Sequence, residues 1–300
     1  MILLMQHLMS SAVAPVNKSL RAPVASWLVV GWVAALIVFC YFPVMVRLVR
    51  QWANDDDMGH GFFVPVIAAW IAWQKLEEAR AIPPLPDWRG LILLLWGAGQ
   101  LYIATLGAEL FLARTALVIT IIGAVWLLCG VRYLRIFAFP LLILFCMIPI
   151  PGVVYTRLTF PLQIFASRVA EHSLDLLGVP VMREGNVLEL ANMKLNVVDA
   201  CSGIRSLLSL TFLSLVYGYF FETNLRIRTI LFLSTIPIAI LANAGRVTLT
   251  GLLAQVNPQL AEGALHEAEG WVIFMIALLI MVGFHKVLTF GWALVRKGTD

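Results

Sequence analysis

Eight apolar runs, each bounded by charged or turn-forming residues, decide what this chain can become: Trp27–Val46, Phe62–Gln74, Gly90–Leu106, Leu110–Cys129, Leu134–Tyr155, Gly203–Phe221, Thr229–Val247 and Ala268–Thr289. A bilayer's hydrocarbon core is about 30 Å thick and takes about 20 apolar residues of helix to cross. Each run therefore reads as a membrane-crossing helix, with the second short for the task. The balance agrees, since 61% of the 300 residues are hydrophobic and 13% charged, against roughly half and a quarter in a soluble domain. The expected fold class is an all-α polytopic membrane protein of about eight transmembrane helices.

The formal net charge of +4 does not point to nucleic acid, because the basic residues lie in loops and form no stripe interleaved with aromatics. They read as topology signals. With a cytoplasmic N-terminus the inside loops hold twelve basic residues: Lys18, Arg21, Lys75, Arg80, Arg89, Arg132, Arg135, Arg226, Arg228, Lys286, Arg296 and Lys297. The outside holds eight over longer polar segments, namely Arg47, Arg50, Arg157, Arg168, Arg183, Lys194, Arg205 and Arg246. The positive-inside rule then puts both termini in the cytoplasm. Residues 1–26 have no charged start, apolar core and small-residue cleavage site in sequence, so the first run is expected to remain as an anchor rather than be removed.

Two stretches between runs are long enough to be structured. From Thr156 to Leu177, Leu158, Phe160, Leu162, Phe165, Val169, Leu174 and Leu177 interleave with Arg157, Arg168, Glu171, His172 and Asp175, the pattern of an amphipathic helix at the outer interface. After it, Val179–Ala200 carries β-branched residues, a Glu184-Gly185-Asn186 turn and a rough period of two, which predicts a small β-hairpin or meander. The domain plan is thus a cytoplasmic segment 1–26, a transmembrane domain 27–290 with an extracytoplasmic insertion at 156–200, and a cytoplasmic tail 291–300, with no further domain expected.

Of the four cysteines, Cys40, Cys129 and Cys146 sit inside apolar runs, where a thiol is expected to pack as a small hydrophobe. Cys201 differs. In "VVDACSGIRSLL" (Val197–Leu208) it keeps company with Asp199, Ser202 and Arg205 at the outer mouth of the sixth run. No metal-type cysteine spacing occurs, so no cofactor is expected. Two more reactive side chains fall on the same outer face: Arg246 in "ANAGRVTLTG" closes the seventh run, and His266 in "ALHEAEGWVIF" precedes the eighth.

That set favours attack by a thiolate, since cysteine is a good nucleophile only when deprotonated and its free pKa lies near 8.5. A following helix N-terminus and a nearby cation would lower it. His266 suits a base toward the thiol or an acid toward a leaving amine. Arg246 keeps its proton, so it suits an oxyanion, carbonyl or carboxylate. The intermediate would be a thioester.

"DACSGIRS", "ANAGRV", the His266 segment and "DDDMGHGFFVPVIAAWIAW" near the front together resemble the exosortases, multispanning bacterial sorting enzymes related to archaeosortases, from about Trp52 to about Phe284. The resemblance implies a Cys–Arg–His active site, matched by Cys201, Arg246 and His266. It also implies protein substrates with C-terminal sorting tails: a Pro-Glu-Pro-like (PEP-CTERM) signature, a transmembrane helix and a basic end. Such substrates are cleaved and transferred to a cell-surface acceptor at the outer face of the inner membrane, often alongside exopolysaccharide production. Membrane lipids are the other partner, and a glycan is one candidate acceptor beside water or an amine.

Several residues accompany this core. Arg205 lies one helical turn after Cys201 and would share its face on a helix, ranking behind Arg246 for a catalytic role. Asn243, three before Arg246, is expected to hydrogen-bond His266 or substrate, or to join helices. Ser202 and Asp199 flank the thiol. His60 closes the front motif Asp55-Asp56-Asp57-Met58-Gly59-His60-Gly61; its carboxylates would suit a divalent cation, but the expected reading is no metal. Glu109 and Arg114 are expected to pair within the fourth run. The alternative from another class is a small transporter or flippase for a glycan or lipid intermediate, which suits the proline-broken stretch Ile148–Gly152 but explains neither Cys201 nor His266. An intramembrane metalloprotease would need His-Glu-x-x-His, which is absent from the sequence. Replacing Cys201 with Ser separates these readings: a cysteine enzyme loses activity in a processing assay, whereas transport or metal chemistry survives.

Overall fold

The computed structural model describes residues 24–191, 193–197, 203–257 and 263–297. In chain order these form α1 (Val24–Asn54), a 3₁₀ segment (Asp56–Phe62), α2 (Phe63–Gln74), α3 (Leu76–Arg80), α4 (Arg89–Leu106), α5 (Leu110–Cys129), α6 (Val131–Ile136), α7 (Ala138–Ile143), a second 3₁₀ segment (Leu144–Met147), α8 (Gly152–Leu176), strands β1 (Val181–Glu184), β2 (Val187–Leu190) and β3 (Lys194–Asn196), then α9 (Gly203–Phe221), α10 (Leu225–Val256) and α11 (Gly263–Lys297). The protein is a helical, multi-pass membrane protein.

Among the described residues, five helices are long and apolar enough to cross a bilayer: the Leu28–Asn54 part of α1, α4, α5, α10 and the Ala268–Leu294 part of α11. The bent pair Ala138–Met147 and Gly152–Leu176 makes a sixth if counted as one span. This is fewer than the eight runs of the sequence. The second run yields the 12-residue α2, about 18 Å at about 1.5 Å per residue, because Lys75, Glu77 and Glu78 follow at once. The fifth run is not one helix either. It breaks through α6, α7 and the second 3₁₀ segment into α8 with a bend of 82°, because Pro149 and Pro151 lack a donor N–H and force the residues before them into extended backbone.

Apolar side chains alone give no preference between lipid and protein, so the helices meet through small residues and polar contacts. The tightest pair is α4 with α5. A Cβ on Gly90 would stand 2.2 Å from the Leu127 nitrogen, and one on Gly123 would stand 2.7 Å from that of Leu94. The largely exposed α1 is fastened by Tyr41, whose hydroxyl donates to the Gly97 carbonyl at 3.2 Å and meets the Thr120 hydroxyl at 2.6 Å. At the end of the bundle where α9 meets α10, His285 of α11 lies 3.2 Å from the Glu222 carboxylate and 3.1 Å from the Tyr217 hydroxyl, and Arg228 donates to the carbonyls of Glu222 and Tyr219. Glu109 does not pair with Arg114: its carboxylate turns back to accept from the backbone of Phe111 and Leu112, capping α5, while Arg114 is buried. Cys40 also departs from the expected core packing, being exposed on α1.

At the other end, β1, β2 and β3 form an antiparallel sheet in sequence order, with Val181 opposite Leu190 and Leu188 opposite Leu195. The β1–β2 turn is closed by Gly185 at φ +65°, a left-handed conformation that costs glycine little. Alternation sends Leu188, Leu190 and Leu195 inward, and with Val197 they share a core with Ala166, Ala170 and Leu174 of α8 and Ala244, Val247 and Ala254 of α10. Gly251 of α10 admits the Leu174 side chain, which a Cβ there would meet at 2.9 Å. The sheet is thus seated on α8 and α10.

Gly90→Ala is expected to destabilise the full chain by about 1–3 kcal/mol, the usual cost of overpacking. Gly99→Ala, which meets nothing within 4 Å, should not. Thermal unfolding of the detergent-solubilised protein checks the pair.

Candidate active site

Asp55 caps the first 3₁₀ segment by accepting from the Asp57 nitrogen at 3.1 Å. The segment packs closely on the end of α1: a Cβ at Gly61 would lie 2.5 Å from the Trp52 ring, and the Trp52 indole donates to the Met147 carbonyl at 2.9 Å. Only glycine permits that approach.

This front motif docks on the beginning of α9. Asp57 accepts from the Arg205 Nε at 3.2 Å and from the Tyr155 hydroxyl at 2.5 Å, while Asp56 lies 3.3 Å from Arg205 Nη2. His60 Nε2 lies 3.2 Å from the Cys146 carbonyl, which only accepts, so Nε2 carries the proton of the neutral ring and Nδ1 faces the Ser209 hydroxyl at 3.5 Å. Burial pushes the His60 pKa below its ordinary value, against the upward pull of hydrogen bonds involving the Cys146 carbonyl and the Asp57 backbone. Asp57 is held by a phenol and a guanidinium, and among the described residues no group of three or more His, Cys, Asp or Glu gathers as metal ligands.

Two faces of α9 carry different duties. Arg205, Ser209 and Phe212 face the front motif. Leu207 and Leu210 pack instead with Ala239 of α10 and Ala277 and Met281 of α11. The expected catalytic use of Arg205 meets a competing duty, because its guanidinium serves two aspartates.

On the opposite side of α9, α10 and α11 meet through Arg246. A Cβ on Gly270 would lie 3.1 Å from the guanidinium carbon and Nη2 and 3.3 Å from Nη1, so the guanidinium rests against a glycine that has nothing to displace it. Gly270 is four positions after His266 on α11, one helical turn along the same face. One turn beyond Arg246, the Thr250 hydroxyl lies 2.9 and 3.0 Å from the two carboxylate oxygens of the buried Glu269. Asn243, one turn before Arg246, is buried and lines a small cleft with Leu162 of α8, Leu207 of α9 and Ala239 and Ile240 of α10. The structure therefore brings Arg246 and Asn243 together with the turn of α11 that carries His266. Asp199, Cys201 and Ser202 lie outside the described residues, as does the side chain of His266.

Sequence reading missed Glu269, Thr250, Gly270 and Tyr155. Glu269 had one signal, an acid at the start of an apolar run three positions after His266; the others had none.

The fold and this end of the bundle are those of a membrane protein that gathers arginine, histidine-bearing and carboxylate-bearing turns at one face. The transmembrane exosortase family model matches residues 52–283, and the chain belongs to that family, one of cysteine protease/transpeptidases acting on sorting-signal proteins. No curated protein and no solved structure matches the chain.

An unfolded histidine takes up a proton near pH 6.5, whereas folded His60 does so only at lower pH, so the unfolded state binds more protons in the window just below 6.5. Stability contributed by neutral His60 is present above pH 6.5 and is lost as pH falls toward its folded pKa. His60→Gln should flatten that segment of the curve of unfolding temperature against pH.

Proposed function

We propose that the chain is a cysteine peptidase/transpeptidase that cleaves C-terminal sorting tails at the outer face of the bacterial inner membrane and passes the exported protein to a cell-surface acceptor. In this reading both termini are cytoplasmic, as the distribution of basic residues between the loops argues, and the substrate's own membrane helix delivers the scissile bond by lateral diffusion. The observation that carries it is the seat of Arg246 against Gly270, one turn from His266. Chain length supports adding Cys201: Val197 packs in the same core as Ala244 and Val247, which flank Arg246. Four residues of extended chain reach at most about 14 Å, whatever conformation the intervening residues adopt.

The Cys201 thiolate attacks the scissile carbonyl, forming a C–S bond. Arg246 donates hydrogen bonds to the oxyanion, whose charge it holds without surrendering a proton. The C–N bond breaks as His266 delivers a proton to the leaving amine. A thioester remains, and the acceptor's nucleophile attacks it while His266 takes the acceptor's proton, releasing the Cys201 thiolate. Asn243 borders the path of substrate, Asp199 and Ser202 flank the thiol, and Arg205 with Asp56, Asp57 and His60 holds the base of α9 rather than the reacting atoms.

Co-expression of a tailed substrate with wild type and with Cys201→Ala, Arg246→Ala and His266→Ala, blotting for enzyme and substrate, tests this. The expected result is normal enzyme level with full-length substrate in all three. Processing that continues without Cys201 overturns the cysteine mechanism and returns the protein to transport of a glycan or lipid intermediate.

A further inference from the structure

One carboxylate of the front motif serves three elements. Asp57 accepts from the Tyr155 hydroxyl at 2.5 Å through one oxygen and from the Arg205 Nε at 3.2 Å through the other. Tyr155 stands in the first turn of α8, directly after the prolines that bend the chain, and its backbone N–H donates to the Pro151 carbonyl at 2.9 Å. Arg205 stands in the first described turn of α9. Asp57 is 18% exposed, whereas Asp56, which meets Arg205 Nη2 at 3.3 Å, is 84% exposed and adds little as a surface ion pair. The segment that bears Asp57 is itself fixed, because Gly61 lies against the Trp52 ring while His60 and Trp52 reach the Cys146 and Met147 carbonyls. Cys201 is four positions before Arg205 and two before Gly203. Two residues of chain span at most about 7 Å, so a shift of the first turn of α9 carries the thiol with it, whatever conformation residues 198–202 adopt.

We propose that Asp57 is the positioning residue of the nucleophile: by joining Tyr155 of α8 to Arg205 of α9 it fixes the direction in which α9 leaves the front motif, and so the place from which Cys201 meets the scissile carbonyl. A carboxylate has lone pairs on both oxygens, so it takes a phenol and a guanidinium at once. A charge-assisted bond to arginine's planar fork sets orientation as well as distance. The competing use of Arg205, as a cation that stabilises the Cys201 thiolate, fits less well, since two aspartates already meet its charge. α8 supports the sheet, and α9 packs on α10 and α11 through Leu207 and Leu210. Asp57 thus registers the two supports of residues 198–202 against each other, which gives a motif 148 positions before Arg205 a part in the site. The effect on catalysis rests on the role given to Cys201 above; the coupling of Asp57, Tyr155 and Arg205 does not.

The test uses the full-length chain with Asp57→Asn, Tyr155→Phe, Arg205→Lys, Arg205→Gln and the double variant Asp57→Asn/Arg205→Gln. Thermal unfolding of the purified protein in detergent reads the coupling without any substrate. The double variant is expected to lose less than the two single losses together, and additive shifts overturn the clasp. Initial rates of cleavage of a tailed substrate, per folded enzyme and below every unfolding midpoint, read the positioning role. Asp57→Asn should lower kcat by roughly 10- to 100-fold, the order that a small misplacement of a catalytic group costs, with KM nearly unchanged. Arg205→Lys should fall with it, because lysine keeps the charge and loses the fork. Wild-type kcat in Arg205→Lys beside a low one in Arg205→Gln means that Arg205 acts by charge alone, and sinks the positioning role. Tyr155→Phe removes one hydroxyl and no charge and is expected to slow cleavage several-fold, which keeps the proposal open to refutation if the Asp57 variants do not accumulate. Lowered midpoints with wild-type kcat in Asp57→Asn and Tyr155→Phe also sink it, leaving a clasp that only stabilises the fold, while an inactive Cys201→Ala leaves the cysteine reading intact. Cleavage by Cys201→Ala instead sinks that reading and the positioning role together, and the thermal cycle still decides the clasp.

Discussion

Every polar group inside a bilayer must find its partner within the protein, because no water waits there to receive it. That requirement organises the whole molecule. Leucine against lipid is as comfortable as leucine against leucine, so hydrophobicity carries the chain into the membrane but does not say which helices touch. The choice is made by a small set of polar clasps and close approaches: Tyr41 with Thr120 and Gly97, Glu222 with His285 and Tyr217, Glu269 with Thr250, and the glycines between α4 and α5.

The candidate site is built where two such devices face opposite sides of α9. One side is the front motif, in which Asp56 and Asp57 take Arg205 and His60 meets Ser209. The other is the α10–α11 contact that seats Arg246. The prolines after Met147 turn the chain by 82°, laying α8 where it can support the sheet, and the sheet in turn delivers Val197 into the core beside Arg246.

Much of this was legible, and the limits of legibility have physical causes. A helix that must be apolar for twenty residues announces itself by composition, so the helical multi-pass class and the family's motifs were readable from local pattern. Counting spans was less secure: Phe62–Gln74 and Leu134–Tyr155 are apolar enough to enter the membrane but too short or too broken to cross it as straight helices. Spacing placed Arg205 one turn after Cys201 but gave no sign of its ionic partners Asp56 and Asp57, which lie about 150 positions earlier in the chain, beyond the reach of any periodicity. The Glu109–Arg114 pair failed for the opposite reason. Close spacing suggested it, but the unsatisfied N–H groups at the start of α5 offered Glu109 a nearer partner.

By itself the sequence determined that the chain is a membrane protein of the exosortase kind and which residue types gather in its motifs, because hydropathy and short motifs are properties of neighbouring residues. Only the tertiary structure decided that Arg246 rests on Gly270, that Thr250 meets Glu269 and that Tyr155 meets Asp57. Those contacts join helices far apart in the chain. Each depends on a glycine's missing side chain or a hydroxyl's direction, and such details acquire meaning only when two helices have been brought side by side.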